Sequence, residues 1–133
     1  VQELIVPELS RGAIVICDRF LDSTIAYQGY GLGIDVGFIK RLGSFVLGGI
    51  APDLTILLDL PVKQGLRHRE NSKDRIEARS LIYHNKVRKG YLALARQEPH
   101  RVAIVRVQED KQKTQIMIRE RVLACLAKKK YML

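Results

Sequence analysis

Residues 53–61 read Asp-Leu-Thr-Ile-Leu-Leu-Asp-Leu-Pro, a mainly apolar run between two carboxylates. Two further runs of this kind lie at 13–17 and 102–105. A continuous apolar run, rather than an alternating one, is typical of strands that are covered on both faces in a parallel sheet. The sequence therefore predicts three strands, at 13–17, 54–58 and 102–105.

Helical patterns separate and follow these runs. A helix capped by Asp35 is predicted to end at 48–49, where two glycines follow each other. A longer helix is predicted over 77–97, and a last one over about 113–129. The alternation of strands and helices, without a repeat or a linker, predicts one doubly wound α/β domain.

The composition indicates a globular chain with an anionic partner. The 133 residues are 47% hydrophobic and carry a formal net charge of +9. Nucleic acid and a phosphate-rich small molecule both fit this charge, but few aromatic residues accompany it, which disfavours nucleic acid. No apolar run reaches the roughly 18 residues of a membrane span. We expect a cytoplasmic protein in which Cys17 and Cys125 are reduced core residues.

The run 13–17 leads directly into Asp18 and Arg19. In open parallel sheets, ligands bind in the crevice at the carboxyl ends of the strands. Arg19 there can hold a phosphate bidentately, and Asp18 can orient it or accept a hydrogen bond from a sugar hydroxyl. A salt bridge between the two side chains, closing a turn between strand and helix, is equally compatible with the sequence.

A short helix that offers groups suited to a nucleoside follows. Ser23, Tyr27 and Gln28 supply a hydroxyl, a phenol and an amide within two turns. In the structural alternative, Ser23 is a helix cap and Tyr27 a core ring. Asp59, at the end of the second strand, is expected to cap the helix that begins near Pro61.

An arginine-rich segment lies between two predicted helices and contains Arg67, Arg69 and Arg75. Phosphoryl transfer depends mostly on positioning and charge stabilisation, so a hinged segment with several arginines is suited to closing over phosphates. The alternative is a solvated charged loop.

These motifs together resemble bacterial thymidylate kinases along nearly the whole chain. The matching pieces occur in the family's order: Asp18-Arg19-Phe20, then Ser23-Thr24 and Tyr27-Gln28-Gly29, Gly-Ile-Asp at 33–35, Pro52-Asp53-Leu54-Thr55 leading to Leu57-Leu58-Asp59, Asp74-Arg75-Ile76-Glu77, and the helix from Asn85 to Leu94. Each piece alone is weak, but together at consistent spacing they are specific.

The resemblance implies a P-loop NTPase-like fold of the nucleoside monophosphate kinase type, with a three-layer parallel sheet. It implies ATP-dependent, magnesium-assisted phosphorylation of thymidine monophosphate by a homodimer. Arg19 would contact the monophosphate, with Asp18 beside it near the sugar or magnesium. The remaining implied residues are Ser23, Thr24, Tyr27 and Gln28 in the thymine and deoxyribose pocket, and Arg67, Arg69 and Arg75 as lid arginines in the transfer step.

One part of the family pattern is absent. Family members begin with a strand and a glycine-rich loop ending in Gly-Lys-Ser/Thr, which cradles ATP, and that first strand lies between those at 13–17 and 54–58. The 133 residues contain no such loop. We therefore expect an incomplete domain that is inactive by itself. Its expected parts are a monophosphate-binding region over about 13–50, a lid over about 67–75 and C-terminal helices over about 77–130. A non-catalytic nucleotide-binding domain on the same fold is the alternative.

Overall fold

The computed structural model describes residues 1–67 and 81–129. Their elements are, in chain order, α1 (Ile5–Ser10), α2 (Leu21–Thr24), a π-helix (Ile25–Gly31), α3 (Val36–Leu47), β1 (Thr55–Asp59), α4 (Val62–Arg67), α5 (Leu81–Gln97), β2 (Val102–Arg106) and α6 (Lys111–Lys128). Strands thus alternate with helices from α3 onward, which confirms the α/β class.

The two strands form a parallel pair. Their register runs from Thr55 opposite Val102 to Asp59 opposite Arg106. Parallel neighbours need a crossover connection, and the chain from 60 to 101, which contains α4 and α5, supplies it. The strands predicted at 54–58 and 102–105 are therefore confirmed, each within one residue.

The strand predicted at 13–17 is wrong. These residues form no ladder in the described chain, and β1 pairs there with β2 only. A strand needs a neighbour about 4.8 Å away to satisfy its backbone groups, and high β-propensity alone does not supply one. The side chain of Ile16 is 90% exposed as a result. Cys17 is a free, exposed cysteine, so its assignment to the core is wrong as well.

Both predicted ends of α3 agree with the structure. The Asp35 side chain accepts a hydrogen bond from the backbone N–H of Phe38 at the start of α3. This helix ends at Gly48, whose φ of +60° lies in the left-handed region that glycine adopts easily. The helix predicted over 77–97 is observed from Leu81, and residues 77–80 lie outside the described chain.

The core lies where the π-helix, α3 and α5 meet. Ile25, Ile39 and Leu94 are buried together there. Glycines allow the π-helix and α5 to approach closely, since a Cβ atom on Gly90 would lie 2.7 Å from the ring of Tyr30. This packing holds the segment after residue 20 against α5, which carries several of the side chains described below.

Helix α3 leaves one apolar face uncovered. Ile39 is buried, whereas Phe38, Leu42 and Phe45 are exposed and lie at i, i+4 and i+7 on one side of the helix. The sequence has Ile39, Leu42 and Val46 at helical spacing, which predicts a shared packed face, but Leu42 and Val46 are exposed, so this prediction is wrong for both. Within the described ranges, no helix has the length and apolarity needed to cross a bilayer.

Candidate functional site

A cavity of about 1120 Å³ opens between residues 13–20, β1 and α5. Small-molecule sites usually occupy about 300–1,000 Å³. This cavity exceeds that range and includes the apolar gap between residues 13–17 and β1, where the family resemblance places a further strand, so its polar end is the candidate ligand site. Most of its polar residues come from three parts of the chain: Asp18, Arg19, Asp22, Ser23 and Tyr27 before α3, Asp59 at the end of β1, and His84, Arg88 and Tyr91 on α5. Asp53, Thr55 and Lys129 also line it. The structure therefore brings together four residues that the sequence predicted for the site.

Arg19 has an unusual backbone and a guanidinium without an acidic partner. Its φ is +72°, in the left-handed region that side chains other than glycine rarely adopt. The guanidinium carbon lies 5.2 Å from the centre of the Tyr27 ring, within the range of a cation–π contact. Arg19 makes no ion pair with Asp18 or with any other carboxylate in the described chain. Its side chain is thus available to an anion.

Tyr27 belongs to an aromatic cluster and is only partly buried. Its ring centre lies 6.3 Å from that of Tyr91 and 6.4 Å from that of Tyr83, in edge-on arrangements. The Tyr91 hydroxyl donates a hydrogen bond of 2.8 Å to Ser23 Oγ. Burial raises the pKa of Tyr91, so its hydroxyl remains a donor at neutral pH. Ser23 therefore has a tertiary partner, and the cap of α2 is Phe20, without a side-chain hydrogen bond.

Asp59 forms an ion pair with Arg88, which lies on α5 one turn before Tyr91. Arg88 Nε donates to Asp59 Oδ1 at 2.7 Å, and Nη2 donates to Oδ2 at 2.9 Å. This hydrogen bonding raises the pKa of Arg88 above its usual value. The expectation that Asp59 caps the next helix is wrong, because its side chain accepts from Arg88 and from no backbone N–H of α4 in the described chain. Asp59 instead ties the carboxyl end of β1 to α5.

A second bidentate pair ties α2 to the residue before β2, and the first residue of β1 adds a hydrogen bond to it. Arg101 donates to both oxygens of Asp22, at 2.7 and 2.8 Å, and Thr55 Oγ1 donates to Asp22 Oδ2 at 3.0 Å. Burial acts to raise the pKa of Asp22, but hydrogen bonds and charge from Arg101 outweigh it and lower that pKa. Asp22 lies three residues after Arg19 and directly before Ser23, so this pair anchors the helix next to the site.

The other predicted site residues lie elsewhere or outside the described chain. Thr24 and Gln28 are exposed and do not line the cavity. Arg67 is the last residue of α4. Arg69 and Arg75, with most of the predicted lid, lie outside the described residues, so their roles stay predictions.

Four residues of this arrangement were not singled out for the site by the sequence: Asp22, Arg88, Tyr91 and Arg101. The sequence has Tyr83, Val87, Tyr91 and Leu94 on one face of α5, which predicts only a packing role for Tyr91. The sequence does contain a signal that could have placed Arg88 near Tyr91. Arg88 lies three residues before Tyr91 and therefore on the same side of the helix. Arg101 has no such signal, since its partner is 79 positions away in the sequence.

The described part of the chain has no group of three or more acidic, histidine or cysteine side chains that could hold a metal ion. Magnesium, however, is commonly bound through one or two carboxylates together with substrate phosphates. Asp18 lines the cavity, is exposed and has no ion-pair partner in the described ranges. It is therefore a carboxylate that fits magnesium in this way.

Known proteins match the chain in sequence and in fold. The family model described as thymidylate kinase matches residues 1–118. The thymidylate kinase of Geobacter sulfurreducens is 48% identical over 113 residues, which cover 79% of this chain and 53% of that protein. The thymidylate kinase of Geotalea uraniireducens is 44% identical over 135 residues, which cover 96% and 63%.

The crystal structure of thymidylate kinase from Ehrlichia chaffeensis matches with a TM-score of 0.70 and 31% identity, over 92% of this chain and 56% of that one. This likeness confirms the predicted P-loop NTPase-like fold class. The chain spans about half the length of the relatives that it matches. On the family match and on identities of 44–48%, this chain belongs to the thymidylate kinase family.

Proposed function

We propose that the protein containing this chain transfers a phosphoryl group from ATP to thymidine monophosphate, giving thymidine diphosphate for deoxynucleotide synthesis. The observation that carries this proposal is Arg19, a guanidinium in the cavity with no acidic partner in the described chain. It lies beside the aromatic and hydroxyl groups of Tyr27 and Ser23. A phosphate that is attached to a nucleoside matches this combination of groups.

The proposed binding roles follow from position. Arg19 holds the monophosphate, and Ser23 and Tyr27 contact the deoxyribose and the base. Thr24 and Gln28 keep their proposed place in the nucleoside pocket on family resemblance alone. The hydroxyl of Tyr91, which donates to Ser23 Oγ, fixes the direction in which Ser23 accepts and donates.

The proposed transfer step needs few covalent roles from the protein, since positioning and charge stabilisation dominate phosphoryl transfer. Bound magnesium would neutralise charge on the phosphates, and Asp18 is the described carboxylate placed to orient it. Arg19 keeps the acceptor phosphate in place for in-line attack.

We propose the cytoplasm as the location and a homodimer as the assembly. The exposed apolar face of α3 supports the dimer.

The lid arginines are proposed to act in the transfer step more than in binding of the monophosphate. Replacing Arg67 or Arg69 by alanine is expected to lower kcat and kcat/KM together, on the order of 10²-fold, because the contact forms mainly in the transition state. Steady-state kinetics of the full-length protein measure this. Alanine variants of Arg67, Arg69 and Arg75 that all behave like wild type would indicate a solvated loop instead.

The function is tested by assaying ADP release from ATP with thymidine monophosphate as acceptor, in the full-length protein. Arg19→Ala should lower kcat/KM by at least about 10-fold, the effect of losing a charge-assisted hydrogen bond of about 1.5–3 kcal/mol. Lys86→Ala is the matched control, since it removes a cation from α5 that does not line the cavity.

Two results would redirect the proposal. Tight binding of thymidine monophosphate without any ADP release would favour a non-catalytic nucleotide-binding domain. Phosphoryl transfer by the purified 133-residue chain would contradict the expectation that these residues, which contain no Gly-Lys-Ser/Thr loop, are inactive by themselves.

A further inference from the structure

Arg88 has donors that no residue of the described chain uses. An arginine side chain carries five N–H donors in a rigid planar fork. Two of them donate to Asp59, and no other hydrogen bond from Arg88 is made in the described chain. The side chain is 38% exposed and lines the cavity, whereas the Asp59 side chain is only 12% exposed. The guanidinium is therefore held on its inner edge by Asp59 and unengaged on its outer edge.

This outer edge shares its cavity with Arg19. Tyr91 lies one turn after Arg88 on α5, and its ring packs edge-on against Tyr27. Arg19 lies over the same Tyr27 ring. Arg19, which precedes α2, and Arg88, which belongs to α5, therefore line one cavity. The contact between Tyr27 and Tyr91 joins the two parts of the chain that carry these guanidiniums.

We propose that Arg88, oriented by Asp59, is a second guanidinium ligand for the phosphoryl oxygens of the bound nucleotide. The inference rests on the proposed function and adds a residue to it. A guanidinium already fixed by a carboxylate loses little conformational freedom when a phosphate binds. Protein kinases use the same principle, in which a lysine held by a glutamate contacts the phosphates of ATP.

A purely structural role for the pair predicts different behaviour. Asp59 is the last residue of β1 and Arg88 belongs to α5, so the pair also joins strand to helix. Removing Arg88 alone leaves a mostly buried carboxylate without a partner, which destabilises any protein. Replacing both residues by apolar ones of similar size avoids that penalty, since a pair removed together is often nearly neutral.

The experiment measures the affinities of thymidine monophosphate and thymidine for the full-length protein by calorimetry, and reports their ratio. The variants are Arg88→Met, the pair Asp59→Leu with Arg88→Met, Arg19→Ala, and Lys86→Met as the control for lost charge on α5. ATP is titrated separately, because the phosphoryl oxygens that Arg88 contacts can belong to the acceptor or to the donor.

We expect the pair variant to fold with near-normal stability and to lose at least about 10-fold in affinity for one of the two nucleotides. Thymidine should bind to it as it binds to wild type. A loss for thymidine monophosphate assigns Arg88 to the acceptor phosphate, and a loss for ATP assigns it to the donor. Unchanged affinities for both nucleotides in a folded pair variant would overturn the inference.

The failure of this inference differs from the failure of the proposed function. If Arg19→Ala loses the preference for the monophosphate while the pair variant keeps it and also binds ATP as wild type does, only the role of Arg88 falls. If wild type binds thymidine and thymidine monophosphate equally and does not bind ATP, the proposed function and the role of Arg88 fall together.

Discussion

At the scale of single residues, Arg19 combines backbone strain with an unneutralised charge. It is the one non-glycine residue with a positive φ in the described chain. A left-handed conformation costs a residue with a side chain roughly 1–2 kcal/mol. Such strain tends to persist at binding and catalytic sites, where the surrounding structure holds it. The strain therefore supports a ligand-binding role for Arg19 independently of its position in the cavity.

The strain predicts a difference between two substitutions that both remove the guanidinium. Arg19→Gly should be more stable than Arg19→Ala by about 1 kcal/mol, because glycine adopts φ near +72° without a Cβ clash. Urea denaturation of the two variants measures the difference. Both should lose affinity for thymidine monophosphate to a similar degree. Equal stability of the two variants would show that the backbone of residue 19 is relaxed.

The Asp22–Arg101 pair predicts a dependence of stability on pH. The folded pKa of Asp22 is lowered, so its stabilisation is fully present above the unfolded pKa of about 3.9 and is lost as the pH falls below it. Asp22→Asn should lower the free energy of unfolding by about 3–5 kcal/mol at pH 7, the cost of breaking a buried pair.

Denaturation of wild type and Asp22→Asn at pH 7, 5, 4 and 3 measures this effect. The difference between the two proteins should be constant down to about pH 5 and should shrink below pH 4. A difference that stays constant down to pH 3 would mean that the carboxylate of Asp22 contributes no charge-dependent stability.

At the scale of helices and strands, the sequence predicted elements that local patterns define. Asp35 and Gly48 mark the ends of α3 because capping and left-handed glycine are local requirements. The strand at 13–17 was predicted from the same kind of pattern, but a strand also needs a partner, which a local pattern does not contain. The π-helix was not predicted either, since no periodic signal distinguishes seven residues of it from an α-helical turn.

The same distinction applies to the candidate site. Arg19 and Ser23 were found because they follow an apolar run within a short stretch. The partners of Asp59 and Asp22 were not predicted. Arg88 lies 29 positions from Asp59 in the sequence, and Arg101 lies 79 positions from Asp22. Which cation meets which carboxylate depends on how α5 and β2 pack against β1, and that information is not local.

Close packing of the π-helix against α5 predicts a penalty for a single added methyl group. The Cβ of Gly90→Ala would lie 2.7 Å from the ring of Tyr30. Overpacking of this kind costs about 1–3 kcal/mol and should exceed the gain of up to about 1 kcal/mol from helix propensity. Thermal or chemical unfolding measures the net effect.

Gly65→Ala is the matched control, because this glycine also lies in a helix and its nearest neighbour, a side-chain atom of Leu60, is at an ordinary 3.7 Å. It should be neutral or stabilising. A Gly90→Ala variant as stable as wild type would mean that Tyr30 moves aside freely.

At the scale of the whole molecule, surface apolarity and charge point to two kinds of partner. The net charge of +9 suits phosphorylated ligands. The exposed stripe of Phe38, Leu42 and Phe45 on α3 suits a second copy of the chain, since an apolar helix face can pack against itself across a twofold axis.

The proposed dimer predicts a change in mass for one surface substitution. Phe45 is 86% exposed, so Phe45→Asp should not disturb the fold but should place a charge in the proposed interface. Light scattering after gel filtration of the full-length protein should show a dimer for wild type and a monomer for the variant. Ile116→Asp, at an apolar position that is 57% exposed on α6, should remain dimeric. A dimeric Phe45→Asp variant would exclude α3 as the interface.

The open side of β1 has a consequence for the handling of the 133-residue chain. Within the described residues, one edge of this strand has no partner, and the apolar side chains of 13–17 stand nearby around the same cavity. Unprotected edges of this kind template intermolecular strand addition, which is a route to amyloid-like aggregates. The isolated chain should therefore be a client for chaperones during expression and should lose solubility as its concentration rises.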